Sequence, residues 1–131
     1  MIRHYLKSAD AQSKLRTRSA FLTVIGETAY MTVIPTLPID PQSTARQQAE
    51  QCFQGIDERL AHVGSDKSKI AHVTIWLADA ADFDDVTAAW NAWIHPDHPP
   101  ARACAQVNII NQAIKVEMIV VAQVPNGAPA D

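Results

Sequence analysis

Apolar residues in this chain follow two rhythms, one of period two and one near 3.6, and their succession lays out the elements. Between Ser19 and Ile34, Phe21, Leu22, Val24 and Ile25 precede Gly26-Glu27, and Thr28, Tyr30, Val33 and Ile34 follow. Two such runs around a Gly-X pair predict a hairpin closed by a two-residue type II′ turn, because glycine takes positive φ without steric cost. Pro35, Pro38 and Pro41 then interrupt regular structure. Thr44 and Gln47 have capping-box spacing. Ala45, Ala49, Cys52, Phe53, Ile56, Leu60 and Val63 make one helical stripe, which Gly64 is placed to stop.

From Lys69 to Leu77 the period returns to two, with Ala71, Val73, Ile75 and Leu77 alternating with His72, Thr74 and Trp76. Asp79 to Ile94 reads as a second helix. Phe83, Val86, Trp90 and Trp93 share a face, and Asp79, Asp82, Asp84 and Asp85 crowd the first turns, where the helix dipole favours negative charge. The run His95-Pro96-Asp97-His98-Pro99-Pro100 ends it, and strands over 101–107 and 115–124 close the chain. With a strand at the N-terminus the order is β, β-β-α, β-α, β-β. That is an α+β arrangement with both helices on one face of a six-stranded mixed sheet.

This arrangement leaves a face uncovered. Val116, Met118, Val120 and Ala122 point one way from the last strand, and Ile119 and Val121 point the other. Two helices on one side cover only the first set, so a second copy of the chain is the simplest cover for the rest. A homo-oligomer is therefore expected.

Composition narrows the class. At 131 residues the chain is expected to be one domain over 1–124, followed by a flexible Pro/Gly/Ala-rich tail over 125–131. A net charge of −3 argues against a nucleic-acid binder, which normally carries a basic excess. Lys7, Lys14, Arg16 and Arg18 form a local basic stretch, read mainly as a solvated segment and otherwise as the rim of an anion site. No apolar run reaches the roughly 18 residues of a membrane helix, and Arg3, His4 and Lys7 interrupt any signal-peptide core. Cys52 and Cys104 are too few for a disulfide framework, so a reducing cytoplasm is the expected setting.

The segment that carries candidate chemistry is Pro99-Pro100-Ala101-Arg102-Ala103-Cys104-Ala105-Gln106-Val107. Strand alternation puts Ala101, Ala103, Ala105 and Val107 on one side, small enough for a helix to approach. It puts Arg102, Cys104 and Gln106 on the other, expected to be the partner-covered face. A guanidinium in such a place needs an anion, and its planar fork suits a carboxylate. Glu117, flanked by Val116 and Met118, is the internal candidate. Two readings stay open: a structural Arg102–Glu117 ion pair, or an anion-binding site.

Other polar residues are weaker candidates. His95, Asp97 and His98 have no further ligand at metal spacing, so no metal is assigned. Cys104 has no readable His-Asp partner and is taken as a small buried residue. His72 is expected to be packed or interfacial, and His62 to sit against the helix dipole. Trp90 and Trp93 are core first and cleft wall second. Tyr30 is packing first and a cleft hydroxyl second.

The runs PPARACAQV and KVEMIVVAQV resemble the C-terminal signature of the Rid (YjgF-like) family. GSDKSKIAHVTIWLADAADFDDVTAAWNAWI is similar to the strand–helix segment of its divergent bacterial branch. The resemblance covers about Gln47 to Val124. It implies a chorismate-mutase-like homotrimer with clefts between subunits and, without a cofactor, hydrolysis of enamines and imines such as 2-aminoacrylate to a 2-keto acid and ammonia. By the same resemblance, Arg102 would bind the substrate carboxylate with the Cys104 backbone N–H, and Glu117 would hold or activate the water. The third strand departs from the family's Ser-Gly-Gln-like motif. Here it reads Tyr30-Met31-Thr32-Val33-Ile34-Pro35, where Thr32 stands in for the hydroxyl, Tyr30 is a second candidate, and Val33 brings a side chain where backbone would otherwise approach the ligand. The alternatives to an imine deaminase are a non-catalytic trimer that binds small carboxylates and, with less support, the ribonuclease activity attached to the family's name.

Overall fold

Gly26 and Glu27 form the tight turn that the sequence predicts. Gly26 sits at φ +58° while Glu27 keeps negative φ, the II′ pattern, and Ile25 faces Thr28 across the closure. The computed structural model describes residues 1–6 and 18–130. The strands are β1 (Ile2–Leu6), β2 (Ala20–Ile25), β3 (Thr28–Val33), β4 (Ile70–Leu77), β5 (Ala101–Gln106) and β6 (Val116–Gln123); the helices are α1 (Ala45–His62) and α2 (Phe83–Trp93). The strands make one six-stranded sheet in the order β1-β2-β3-β6-β4-β5. Every pairing is antiparallel except β4–β5, which is parallel and is bridged by α2.

Both helices lie on one face. The α1 stripe from Ala45 to Leu60 is buried there, against Leu22, Val24, Met31 and Val33 of the hairpin and the even-numbered positions of β6. Thr44 Oγ1 accepts from the Gln47 N–H, and Gln47 Oε1 accepts from the Thr44 N–H, so both halves of the capping box are made. Gly64, at φ +74°, follows the helix end. The second helix starts later than its acidic run suggests. Asp79 caps a 3-10 turn over Ala80–Asp82 by accepting from the Ala81 N–H, and α2 follows from Phe83.

One buried polar residue in the stripe has a structural task. Gln48 lies between Ala45 and Cys52 on the core face and is fully buried. Its amide donates to the Ala113 carbonyl (3.0 Å) and to Ser43 Oγ (3.1 Å), and its Oε1 accepts from the Lys115 N–H (2.7 Å). It thereby ties α1 to the loop that leads into β6. Gln48→Leu keeps the volume and strands a buried N–H and a buried carbonyl, so a loss of about 2–4 kcal/mol in unfolding free energy is expected in urea titration. An unchanged midpoint would mean that these groups find other partners.

Residues 125–130 run back along the hairpin. The Asn126 N–H donates to Glu27, the Pro129 carbonyl accepts from Arg3, and Ala128 packs against the core. The basic stretch at Lys7, Lys14 and Arg16 lies outside the described residues.

Candidate functional site

β5 is an edge strand, and its register decides where the candidate residues point. In the parallel pairing with β4, Arg102 lies beside Val73 and Cys104 beside Ile75. Val73 and Ile75 are buried beneath the helices, and in-register neighbours share a face. Arg102, Cys104 and Gln106 therefore face the helices, and Ala101, Ala103 and Ala105 face the open side. This reverses the orientation expected from side-chain size. At the sheet edge Phe83 and Trp90 of α2 reach over β5 and leave a slot that a long side chain fills better than alanine.

The guanidinium is held in that slot by neutral groups. Arg102 Nη2 donates to Thr87 Oγ1 at 2.8 Å. The Trp90 and Phe83 rings flank it, with centroids 5.2 and 5.6 Å from the guanidinium carbon, distances at which a ring face attracts a cation. Gln106 Oε1 accepts from the Ala80 N–H and fastens the turn before α2. Cys104 packs against the core edge, and burial raises its thiol, against the smaller opposing pull of Arg102. Such a thiol is a poor nucleophile, in keeping with its reading as a small packed residue. Its backbone is better placed. The Val107 N–H donates to the Leu77 carbonyl on β4, so by strand alternation the Cys104 N–H points outward from the free edge.

Glu117 lies on the opposite, open face. It is beside Trp76 in the β4–β6 register and shares its side of the sheet with Ile119 and Val121. The two residues proposed to share a site thus stand on opposite faces of one chain, and no Arg102–Glu117 ion pair forms within it. Glu117 is half-buried, and desolvation raises its carboxyl above the ordinary glutamate value. It borders a recess of about 510 Å³ walled by Trp76, Val107, Ile109, Ile110 and Ile114.

Tyr30 and Thr32 project from β3 onto this same open face. With Thr23 and Ile119 they line a separate, smaller hollow of about 200 Å³. Val33 does not obstruct it. Its side chain is buried on the helix side against Gly55, because alternation turns it away from Thr32. The side chain that the sequence puts where backbone would approach the ligand therefore points away from the open face.

The recess walls are not legible in the sequence, where Trp76 and Val107 are ordinary alternating strand residues and 108–114 is a plain connection between strands. The available signal was Ile109-Ile110 and Ile114 in a loop, apolar residues with no periodicity to bury them. Ile110 is fully exposed.

The remaining candidates have other surroundings. His72 Nε2 is 3.0 Å from Thr74 Oγ1 on the open face. The His62 ring meets Tyr5 edge-on at 5.3 Å, so aromatic packing is its visible role. His95 and His98 pack against each other at 4.9 Å. Among the described residues no three His, Cys, Asp or Glu side chains come together as a metal site. Trp90 is buried, while Trp93 stacks on Phe53 at 4.4 Å and donates to Asp57. Cys52 is sealed beneath α1, its thiol pushed up to about 12 by burial.

A family model described as endoribonuclease L-PSP matches residues 8–124. The chain belongs to this family, also called YjgF/RutC. Its similarity to other YjgF/RutC members spans most of its length. It is 35% identical to the RutC family protein YoaB of Escherichia coli over 103 residues, 79% of this chain and 88% of that one. It is 35% identical to a RutC family protein of Haemophilus ducreyi over 88 residues, 67% of this chain and 75% of that one. In structure it resembles an uncharacterized protein from Pseudomonas aeruginosa with a TM-score of 0.80, at 28% identity, covering 94% of this chain and 98% of the other. The six-stranded mixed sheet with two helices on one face is thus the fold of the YjgF/RutC neighbours. Among the described residues no helix is long and apolar enough to cross a membrane.

Proposed function

We propose that this YjgF/RutC protein hydrolyses small 2-imino acids and their enamine tautomers, such as 2-aminoacrylate, to 2-keto acids and ammonia at clefts between the subunits of a homotrimer. The observation that carries the reading is the state of Arg102: an ordered guanidinium at a free sheet edge, held by a hydroxyl and two rings, with donors left for a carboxylate. A bidentate clamp of this kind suits the carboxylate of an imino acid.

Opposite-face placement makes a second copy part of the site. The β5 edge of one subunit, with Arg102 and the outward Cys104 N–H, meets the open face of the next, which carries Glu117. The same contact covers Ile119 and Val121, apolar side chains on the face left bare in the single chain. Water then attacks the imine carbon while Glu117 takes a water proton and returns it to nitrogen. The carbinolamine hydroxyl then gives its proton through Glu117 to the departing nitrogen as the C–N bond breaks, so the 2-keto acid forms and ammonia leaves. Water is the only co-reactant, and the imine is already electrophilic, so positioning supplies much of the acceleration. Two free cysteines suit a reducing compartment.

The altered third strand supports a second reading, a non-catalytic trimer that keeps Arg102 as a carboxylate anchor. Keto-acid release from 2-aminoacrylate, generated in situ by a serine dehydratase, separates the two. Acceleration supports the deaminase. Carboxylate binding without acceleration supports the anchor alone.

Thr87 is a positioning residue in either case. Thr87→Val removes the hydroxyl that Arg102 donates to and keeps the shape. A five- to tenfold rise in KM or Kd for the carboxylate is expected, about 1–1.4 kcal/mol, the upper part of the range for an ordinary hydrogen bond. Little change in kcat and recovery in Thr87→Ser complete the expectation. Equal loss in both variants would mark a packing effect instead.

A further inference from the structure

The recess beside Glu117 is larger than the proposed reaction of 2-aminoacrylate needs. That substrate carries one carbon beyond its imine carbon and carboxylate, whereas the recess has about 510 Å³, within the range of pockets that enclose whole small ligands. Its walls are apolar: Trp76 stands directly across the register from Glu117, and Val107, Ile109, Ile110 and Ile114 complete them. Asn108 and Asn111 add amides to the lining, and among the described residues the carboxylate of Glu117 is its one charged group.

The loop that forms the wall is fixed before any ligand arrives. Buried Gln48 holds Ala113 and Lys115, the Ile114 N–H donates to the Asn111 carbonyl at 3.0 Å, and the Ala113 N–H donates to Asn111 Oδ1 at 3.0 Å. Ile114 is buried by this arrangement, while Ile109 and Ile110 are turned toward the opening. A preformed apolar hollow directly beside the group assigned to the water is placed for the side chain of an imino acid whose C=N carbon sits at Glu117.

We propose that this recess is the side-chain subsite of the reaction centre, and that it selects 2-imino acids with branched aliphatic or aromatic side chains over 2-aminoacrylate. The inference rests on the reading of Glu117 and Arg102 given above and names the substrate class of that site. A methyl-sized group leaves these walls wet; an isobutyl or benzyl group reaches them and takes part of the Trp76, Ile109 and Ile110 surface out of water.

Binding tests this without requiring turnover. The full-length protein is titrated calorimetrically with pyruvate and with 4-methyl-2-oxopentanoate, the keto acids that correspond to a methyl and an isobutyl side chain. The larger ligand is expected to bind at least about tenfold more tightly, since a single methylene in an apolar pocket already discriminates on that scale. Ile109→Trp, which fills the opening, and Ile109→Asn, which makes it polar, are each expected to bring the affinity ratio toward one. Equal affinities in the wild type, or no binding of either ligand, overturn the subsite.

Turnover is measured separately with imines generated by an amino-acid oxidase from alanine and leucine. Hydrolysis of both with equal efficiency and equal keto-acid affinities would remove the subsite and leave the deaminase. Selective binding of the larger keto acid, with neither imine hydrolysed, would keep the subsite and remove the deaminase.

Discussion

Arg102→Ala is expected to weaken pyruvate binding by about a hundredfold and to lower kcat/KM for 2-aminoacrylate by a similar factor. Two charge-assisted hydrogen bonds to one carboxylate are worth about 3 kcal/mol together, and each 1.4 kcal/mol is a factor of ten. The same substitution removes a hydrogen bond to Thr87 and two ring contacts, so stability should also fall by about 1–2 kcal/mol. That cost is small enough for a folded protein, and a melting curve confirms it before binding is measured. Arg102→Lys separates charge from geometry. It keeps a cation but loses the fork, so an intermediate loss of about tenfold is expected. Unchanged affinity in Arg102→Ala, with the protein folded, would show that carboxylates bind elsewhere or not at all.

The local grammar of this fold is legible in the chain, and the long-range facing of β5 is not. Gly26, the Thr44–Gln47 box, the α1 stripe and the two-sided apolar pattern of β6 each follow from sequence neighbours within a few positions. All four are present in the structure. The direction of Arg102 depends instead on its register against Val73, which lies beyond the whole of α2 in sequence. Alternation predicts that Arg102 and Cys104 share a face but not which face. The size argument chose wrongly because α2 reaches over the sheet edge with Phe83 and Trp90, where a long arginine stem fits. Gln48 shows a second limit. A polar residue outside the apolar stripe that the periodicity predicts, it is buried because its partners, Ala113 and Lys115, meet it only through the tertiary fold. The recess beside Glu117 is a third case, since a loop without periodicity reveals its inward side only once its ends are anchored.

Glu117→Gln is expected to lower kcat by roughly 10²- to 10⁴-fold, the range for loss of a general acid or base, while making the protein more stable at neutral pH. The two effects share one cause. Desolvation raises the Glu117 carboxyl, so the folded chain binds its proton more tightly than the unfolded chain does. Between the ordinary value, about 4.3, and the raised one, the folded protein holds a proton that the unfolded protein has released. Stability therefore falls as pH rises through that window. Glutamine cannot ionise, so the variant should match the wild type below the window and exceed it above. Catalysis runs the other way, because the water needs the carboxylate form. The acid limb of the wild-type rate profile should accordingly lie above the ordinary glutamate range and disappear in the residual activity of the variant. Urea titrations across pH and rate profiles on both proteins check the pair of effects. A variant that turns over within a few-fold of the wild type would remove Glu117 from the proton transfer. A stability gain without that activity would leave it as a strained surface charge in an apolar hollow.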